Sequence, residues 1–249
     1  MTNKIKWIIQ NVFNSFGYEI RRKNDAFAIQ KELIRRGEPV IFDVGAHIGS
    51  VTEKYRKLFP LASIYCFEPF PKSFEQLKSN IADDPRTIAY RIAMSDTKGK
   101  AILNVNTSTM TNSLLHTDIR GEFYWGEALL NTIDEEEIDT ISIDCFSEEN
   151  KINFIDILKL DVQGYEFAIL NGAKKMLFSQ SVSLIYTEII MAPTYQGQYK
   201  LHEYLSLLDS FGYELLDLYN PVRRRKQLIQ TDILFLSTKF KQECPEMLV

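Results

Sequence analysis

The segment Pro39-Val40-Ile41-Phe42-Asp43-Val44 runs into Gly45-Ala46-His47-Ile48-Gly49 and then into a helical pattern over 49–59. An unbroken apolar run suits a strand buried on both faces, as in a parallel sheet flanked by helices. Glycines at 45 and 49 let the chain turn tightly out of that strand and let a ligand approach the backbone. In open α/β sheets, ligands lie beyond the carboxyl ends of the strands, where the strand order reverses. One short stretch thus predicts a layered α/β fold and a binding crevice at its edge.

The rest of the chain repeats the alternation. Strands are predicted at 62–67, 86–93, 101–106, 139–144, 155–160 and 183–189, and helices at 24–37, 71–82, 165–178 and 198–211. Residues 213–218 and 232–237 close the sheet as an antiparallel pair. The fold class is α/β, a doubly wound and mostly parallel sheet with helices on both faces. Residues 107–137 are polar and irregular, and loops this long commonly serve as lids or binding loops. The acidic run Asp134–Glu137 within them reads as a solvated helix end.

Composition removes several function classes. Hydrophobic residues make up 45% and the net charge is -4, so neither a disordered chain nor a basic nucleic-acid arm is expected. An acidic balance also argues against nucleic acid as a partner. No run of 18 apolar residues is present to span a membrane, and Lys4–Asn11 does not read as a signal peptide. The three cysteines, Cys66, Cys145 and Cys244, share no C-x-x-C spacing; a reducing cytoplasm is expected, with no cysteine zinc site. Residues 4–16 form an amphipathic helix through Ile5, Ile8, Ile9, Val12, Phe13 and Phe16, stopped at Gly17. Such a face packs on its own domain or on a partner subunit of a homo-oligomer, or docks on a membrane surface with Trp7 and the lysines at the interface.

The chemistry concentrates at strand ends. Glu68, in Phe67-Glu68-Pro69, lies 23 positions after Gly45, where a carboxylate accepts hydrogen bonds from both hydroxyls of a ribose. The third glycine of a dinucleotide fingerprint is missing and no P-loop exists, which disfavours pyrophosphate and triphosphate ligands. S-adenosylmethionine, a nucleoside without phosphate, remains; Asp43 would orient its ammonium through water or backbone groups. A second cluster, Leu158-Lys159-Leu160-Asp161-Val162-Gln163-Gly164-Tyr165-Glu166, puts Asp161 at the same sheet edge, as general base or helix cap. Glu166 falls in a first helical turn, where an acid complements the dipole. Glu188 joins the rim from a third strand. Tyr195, Tyr199 and Tyr219 flank the cleft side, as packing residues or as faces for a sugar ring. The run Arg223-Arg224-Arg225-Lys226 reads as a solvated turn or as a clamp for an acidic or phosphorylated acceptor. The Tyr-x-x-x-Lys pair of nucleotide-dependent oxidoreductases and epimerases is absent, as is the [DN]-P-P-[YF] segment of nucleic-acid amino methyltransferases.

Taken in order, D-V-G-A-H-I-G at 43–49, F-E-P at 67–69, A-M-S-D at 93–96, L-K-L-D-V-Q-G-Y-E at 158–166, N-G-A at 171–173 and T-D-I-L-F at 231–235 resemble the FkbM family of S-adenosylmethionine-dependent methyltransferases. The resemblance covers roughly 38–237. It implies a class I methyltransferase fold, Rossmann-like, with seven strands and a C-terminal antiparallel hairpin. It implies O-methylation of a sugar or glycan hydroxyl, or of a polyketide-type small molecule; a catalytically silent cofactor-binding protein of the same fold is the remaining alternative. The domain would occupy 38–240, with 1–37 a helical segment packed on it and 241–249 a tail. Asp43, Gly45, Ala46, His47 and Gly49 would line the methionine side of the cofactor. Glu68 and Pro69 would hold the ribose, Ser95 and Asp96 would flank the adenine, and Asp161 would lie near the transferring methyl. Asp161, His47 and Glu188 are the candidate bases. His47 stands where the family usually has Asn and Gln163 where it usually has Glu. The second departure removes a carboxylate, and no metal is expected.

Overall fold

The computed structural model describes residues 25–126 and 128–243, with Trp7, Asn11–Phe13, Ser15 and Phe16. Most of the 4–16 helix, its stop at Gly17, and Cys244 lie outside the described residues. Ten strands follow in order: β1 (Val40–Val44), β2 (Ser63–Phe67), β3 (Thr87–Tyr90), β4 (Ala93–Ser95), β5 (Gly99–Asn106), β6 (Thr132–Ser142), β7 (Ile155–Leu160), β8 (Val182–Ile190), β9 (Tyr213–Arg224) and β10 (Gln227–Ser237). Between and around them come helices α1 (Ala26–Leu33), α2 (Ser50–Leu58), α3 (Pro71–Asn80), α4 (Glu122–Trp125), α5 (Ile143–Glu149), α6 (Glu166–Asn171), α7 (Lys174–Phe178), α8 (Leu201–Ser210) and α9 (Thr238–Glu243).

Seven strands form one sheet in the order β3-β2-β1-β7-β8-β10-β9. The pairs among β3, β2, β1, β7 and β8 are parallel, whereas β10 runs antiparallel to both β8 and β9. This is the expected doubly wound sheet with its C-terminal hairpin. Strand order reverses between β1 and β7, which puts the crevice at their carboxyl ends. One face is packed with Phe42, Phe67, Phe146, Leu158, Ile169 and Leu177. The other carries Phe27, Ile41, Tyr55, Ile64, Ile157 and Leu184. Helix α1 belongs to this second layer, through Phe27 against Tyr55 at 5.2 Å and the Tyr55 hydroxyl donating to Gln30 at 2.9 Å.

Several elements differ from the sequence expectation, each for a local reason. The strand expected at 86–93 splits. Strand β2 ends at Phe67, paired with Tyr90, so beyond Tyr90 the chain has no neighbour there; β4 pairs instead with β6 in a separate sheet ordered β4-β6-β5. The acidic run Asp134–Glu137 lies in β6, not at a helix end, and pairs with Ile102–Val105. Its side chains are mostly exposed, so the strand forms by backbone pairing without the apolar alternation that marks a strand in sequence. The strand expected to reach 144 stops at Ser142, whose hydroxyl accepts the Cys145 amide at 3.2 Å and starts α5. The helix expected at 165–178 breaks into α6 and α7. A Cβ at Gly172 would lie 2.1 Å from the Ser95 carbonyl, and the Asp144 carboxylate caps the new start at the Lys175 and Met176 amides. Helix α1 ends at Leu33, short of Gly37. Among the described residues no helix is long and apolar enough to cross a membrane.

Candidate active site

Strand register builds the site. Val44 pairs with both Phe67 and Leu160, and Leu160 pairs with Thr187. The next residue of each strand therefore stands in one row: Glu68, Gly45 and Asp161 just past the ends of β2, β1 and β7, and Glu188 inside β8, two residues before its end. All four line a single cleft, with His47 and Pro69 beside them. Phe67, Ala93, Met94 and Leu103 give it an apolar side, and Thr109–Leu114 of the 107–131 connection supply residues of the facing wall.

Gly45 is forced by this geometry. Its φ is 72°, and a Cβ would sit 1.9 Å from the Asp161 carbonyl oxygen. Only glycine lets β1 leave the sheet this close to β7. Gly49, at φ 92°, is the N-cap of α2. Ala46 donates its amide to the Phe67 carbonyl at 3.1 Å.

Glu68 is buried, and each of its carboxylate oxygens accepts one backbone amide at 2.9 Å, from His47 and from Phe70. Burial raises its pKa to about 7 despite these two donors and the charge of Lys159. The two amides fix the carboxylate and leave further lone pairs for hydroxyl donors.

Asp43 does not reach the cleft. It is fully buried, 2.9 Å from the Lys159 ammonium, and accepts the Thr52 hydroxyl at 2.6 Å. Lys159 also donates to the carbonyls of Val44 at 3.2 Å and Gly45 at 2.9 Å. Burial lowers the Lys159 pKa, but Asp43 and Asp161 together outweigh it and the net shift is upward. The ammonium thus ties the strand ends together from beneath, and any influence of Asp43 on a ligand passes through this pair.

Asp161 is the exposed member of the row, with 40% of its side chain accessible. The Gln163 amide donates to it at 3.0 Å and to Glu188 at 3.0 Å. Gln230 donates to the other Glu188 oxygen. Burial, then the charges of Asp161, Glu166 and Asp232, push the Glu188 pKa well above the usual range. His47 holds a positive φ of 49°, and its Nε2 lies 2.9 Å from the Thr109 hydroxyl. Burial is the main reason its pKa is lowered, which favours a neutral ring joining the turn to the facing wall.

The remaining sequence candidates divide. Ser95 is buried, 3.0 Å from Asp96 and 3.2 Å from the Tyr165 hydroxyl; from that segment Ala93 and Met94 face the cleft instead. Glu166 is buried and staples the loop between β7 and α6, accepting the amides of Val162 and Gly164; burial raises its pKa to about 7. Tyr195 is buried with its hydroxyl on Gln163, Tyr199 stacks on Phe167 at 3.8 Å, and Tyr219 is buried against the sheet. Arg223 and Arg224 end β9 and Arg225 and Lys226 form the turn into β10, all four exposed. Lys159 went unnoticed as a site residue. Its signal is a cation near the carboxyl end of a strand, Ile155–Leu160, that is buried throughout and whose other charge, Asp156, lies near the opposite end; such a lysine demands a buried partner.

The cleft lining holds three carboxyl groups and, among the described residues, no lysine or arginine. That suits a cationic ligand without phosphate. A seven-stranded sheet of this order, with such a cleft at its switch point, defines a class I S-adenosylmethionine-dependent methyltransferase. The family model described as the methyltransferase FkbM domain matches residues 43–215. The chain belongs to the FkbM methyltransferase family and is an S-adenosylmethionine-dependent O-methyltransferase. It is 26% identical over 244 residues to the 2-O-methyltransferase NoeI of Sinorhizobium fredii, covering 93% of this chain and 94% of that protein. It is 26% identical over 176 residues to the hexuronic acid methyltransferase AglP of Haloferax volcanii, covering 69% and 64%. Among solved structures, magnesium protoporphyrin IX methyltransferase of Synechocystis PCC 6803 with bound SAM aligns at TM-score 0.47 and 12% identity over 93% of this chain and 96% of that one. The fold assignment rests on the strand order itself.

Proposed function

We propose that this protein methylates a hydroxyl of a sugar or glycan, with Asp161 as the general base. The row of Glu68, Gly45, Asp161 and Glu188 across four adjacent strands carries the reading, because it puts a hydroxyl-accepting carboxylate and a solvent-accessible carboxylate on one cleft. The names of two relatives, a 2-O-methyltransferase and a hexuronic acid methyltransferase, support a sugar acceptor.

The residues present fit the cofactor. Glu68, already anchored by two amides, would accept from the ribose hydroxyls. The Gly45–Gly49 turn would pass beneath the methionine portion, and Ala93 and Met94 offer apolar contact for the base. When bound, S-adenosylmethionine supplies an electrophilic methyl group. The protein aligns the acceptor, and well-oriented reactants gain up to about 7–11 kcal/mol over free encounter in ideal cases. Asp161 would take the proton of the acceptor O–H and free an electron pair on oxygen for the methyl carbon, whose bond to the cofactor sulfur would break with its electron pair left on sulfur. The exposed Arg223–Lys226 turn would meet an acidic or phosphorylated portion of the acceptor.

The experiment combines labelled S-adenosylmethionine with nucleotide-sugar and envelope-glycan pools, followed by location of the labelled hydroxyl. Asp161→Asn should cut turnover about 10²–10⁴-fold with cofactor affinity retained. Full turnover in that variant removes Asp161 from the role.

A further inference from the structure

Gln163 has every polar group of its side chain and its carbonyl engaged. Its Nε2 donates to Asp161 Oδ1 and to Glu188 Oε2, each at 3.0 Å. Its Oε1 accepts the Tyr195 hydroxyl at 3.1 Å. Its backbone carbonyl accepts the Ser113 hydroxyl at 2.7 Å. Its backbone sits at φ 57°, a left-handed conformation that costs free energy for a residue with a side chain and so needs such contacts to hold it. An amide has only two N–H bonds, and here both are spent on carboxyl groups from neighbouring strands.

We propose that Gln163 is a positioning residue that joins Asp161 and Glu188 into one acid unit holding a single proton. The two carboxyl oxygens straddle one nitrogen and so lie about 5 Å apart, given the fork of an amide N–H₂. Like charges at that separation in a half-buried setting do not both form readily. Burial and the charges of Asp161, Glu166 and Asp232 leave the proton on Glu188, against the amide donors of Gln163 and Gln230, which favour its charged form. Asp161, the member open to the cleft, faces the acceptor hydroxyl. The groups facing the unit are Lys159 below Asp161, His47 on the turn after β1, Glu166 on α6, Asp232 on β10 and Tyr195. Lys159 is the lone cation among them and is already held by Asp43. The Gln163 amide turns its N–H₂ to the acids because oxygen there would face two oxygens, and the one Tyr195 proton is shared between Gln163 Oε1 at 3.1 Å and the Thr111 carbonyl at 3.0 Å.

The inference rests on the reading of Asp161 as base, and its test separates the two. The Glu188 carboxyl is titrated in the full-length protein by ¹³C NMR with labelled glutamate, assigned with Glu188→Gln. Asp161→Asn removes the neighbouring charge and should lower the Glu188 midpoint by about one pH unit or more. Gln163→Met keeps the length, removes the donor, and should raise it by a similar amount. Gln163→Glu, nearly isosteric, also raises it and covers the case in which the Met variant does not fold. The acid limb of the kcat profile moves with the Glu188 midpoint in Gln163→Glu, a response that a merely structural glutamine would not produce. A Glu188 midpoint indifferent to Asp161→Asn, or to the Gln163 change in a protein that melts like wild type, overturns the proposal whatever the turnover. Full turnover of Asp161→Asn with the coupling intact overturns only the base.

Discussion

Lys159→Met tests the tie beneath the cleft. The wild-type ammonium is 4% exposed, lies 2.9 Å from Asp43, and donates to the Val44 and Gly45 carbonyls. The thioether replaces none of these contacts. Asp43, fully buried, is left with the Thr52 hydroxyl as its close donor; the Gly45 carbonyl loses the ammonium, and the Val44 carbonyl keeps the Asp161 amide at 3.2 Å. Removing one partner of a buried ion pair costs about 3–5 kcal/mol. In a domain of this size that lowers Tm by roughly 6–20 °C. Asp43→Asn should cost less, since an amide retains the Thr52 contact. The Asp43→Asn/Lys159→Met double variant, with neither charge left to bury, should be more stable than Lys159→Met alone, giving a coupling of about 2 kcal/mol or more. Urea titration followed by far-UV circular dichroism at pH 7 measures all four corners of the cycle. Additive losses, or a Lys159→Met loss under about 1 kcal/mol, would refute the assignment of this pair as the tie across the strand ends.

Cofactor affinity should rise with pH through about 7, because Glu68 accepts hydroxyl donors best after losing its proton and its pKa is raised to about 7 by burial. Calorimetry from pH 5.5 to 8.5 should show this slope in the wild type and lose it in Glu68→Gln, while Glu68→Ala should bind more than tenfold more weakly at pH 8. Gly45→Ala drives a Cβ to 1.9 Å from the Asp161 carbonyl and should cost about 2–4 kcal/mol; a melting curve matching wild type would contradict the close approach of β1 and β7. Charge reversal at Arg223, Arg224 and Arg225 should raise KM for an anionic acceptor and leave cofactor affinity alone. Equal KM values for both proteins would make the turn a solvated one.

The sheet and the row of site residues were legible because both follow from short-range rules. A buried apolar run ending in Gly45 and a second ending at Glu68 need only parallel register to bring 45 and 68 side by side. The same rule carried Asp161 and Glu188. What escaped depends on contacts distant in sequence. The break at Gly172 comes from the Ser95 carbonyl, and the buried fate of Asp43 from Lys159, more than a hundred residues away. Strand β6 escaped because its exposed acidic residues hide the alternation. Ser95 and Asp96 lie outside the cleft lining, since their segment enters the small sheet and turns Met94 to the cleft.

The connection at 107–131 touches the row through few tethers, chiefly Thr109 to His47 and Ser113 to the Gln163 carbonyl. Its other anchors fall on Asn104 and Asn106 of β5 and on residues 194–196. The wall opposite the row is thus held directly to it by two hydrogen bonds. Exchanging residues 109–114 tests whether this wall selects the alcohol that is methylated; an unchanged acceptor range would return that choice to the strands beneath.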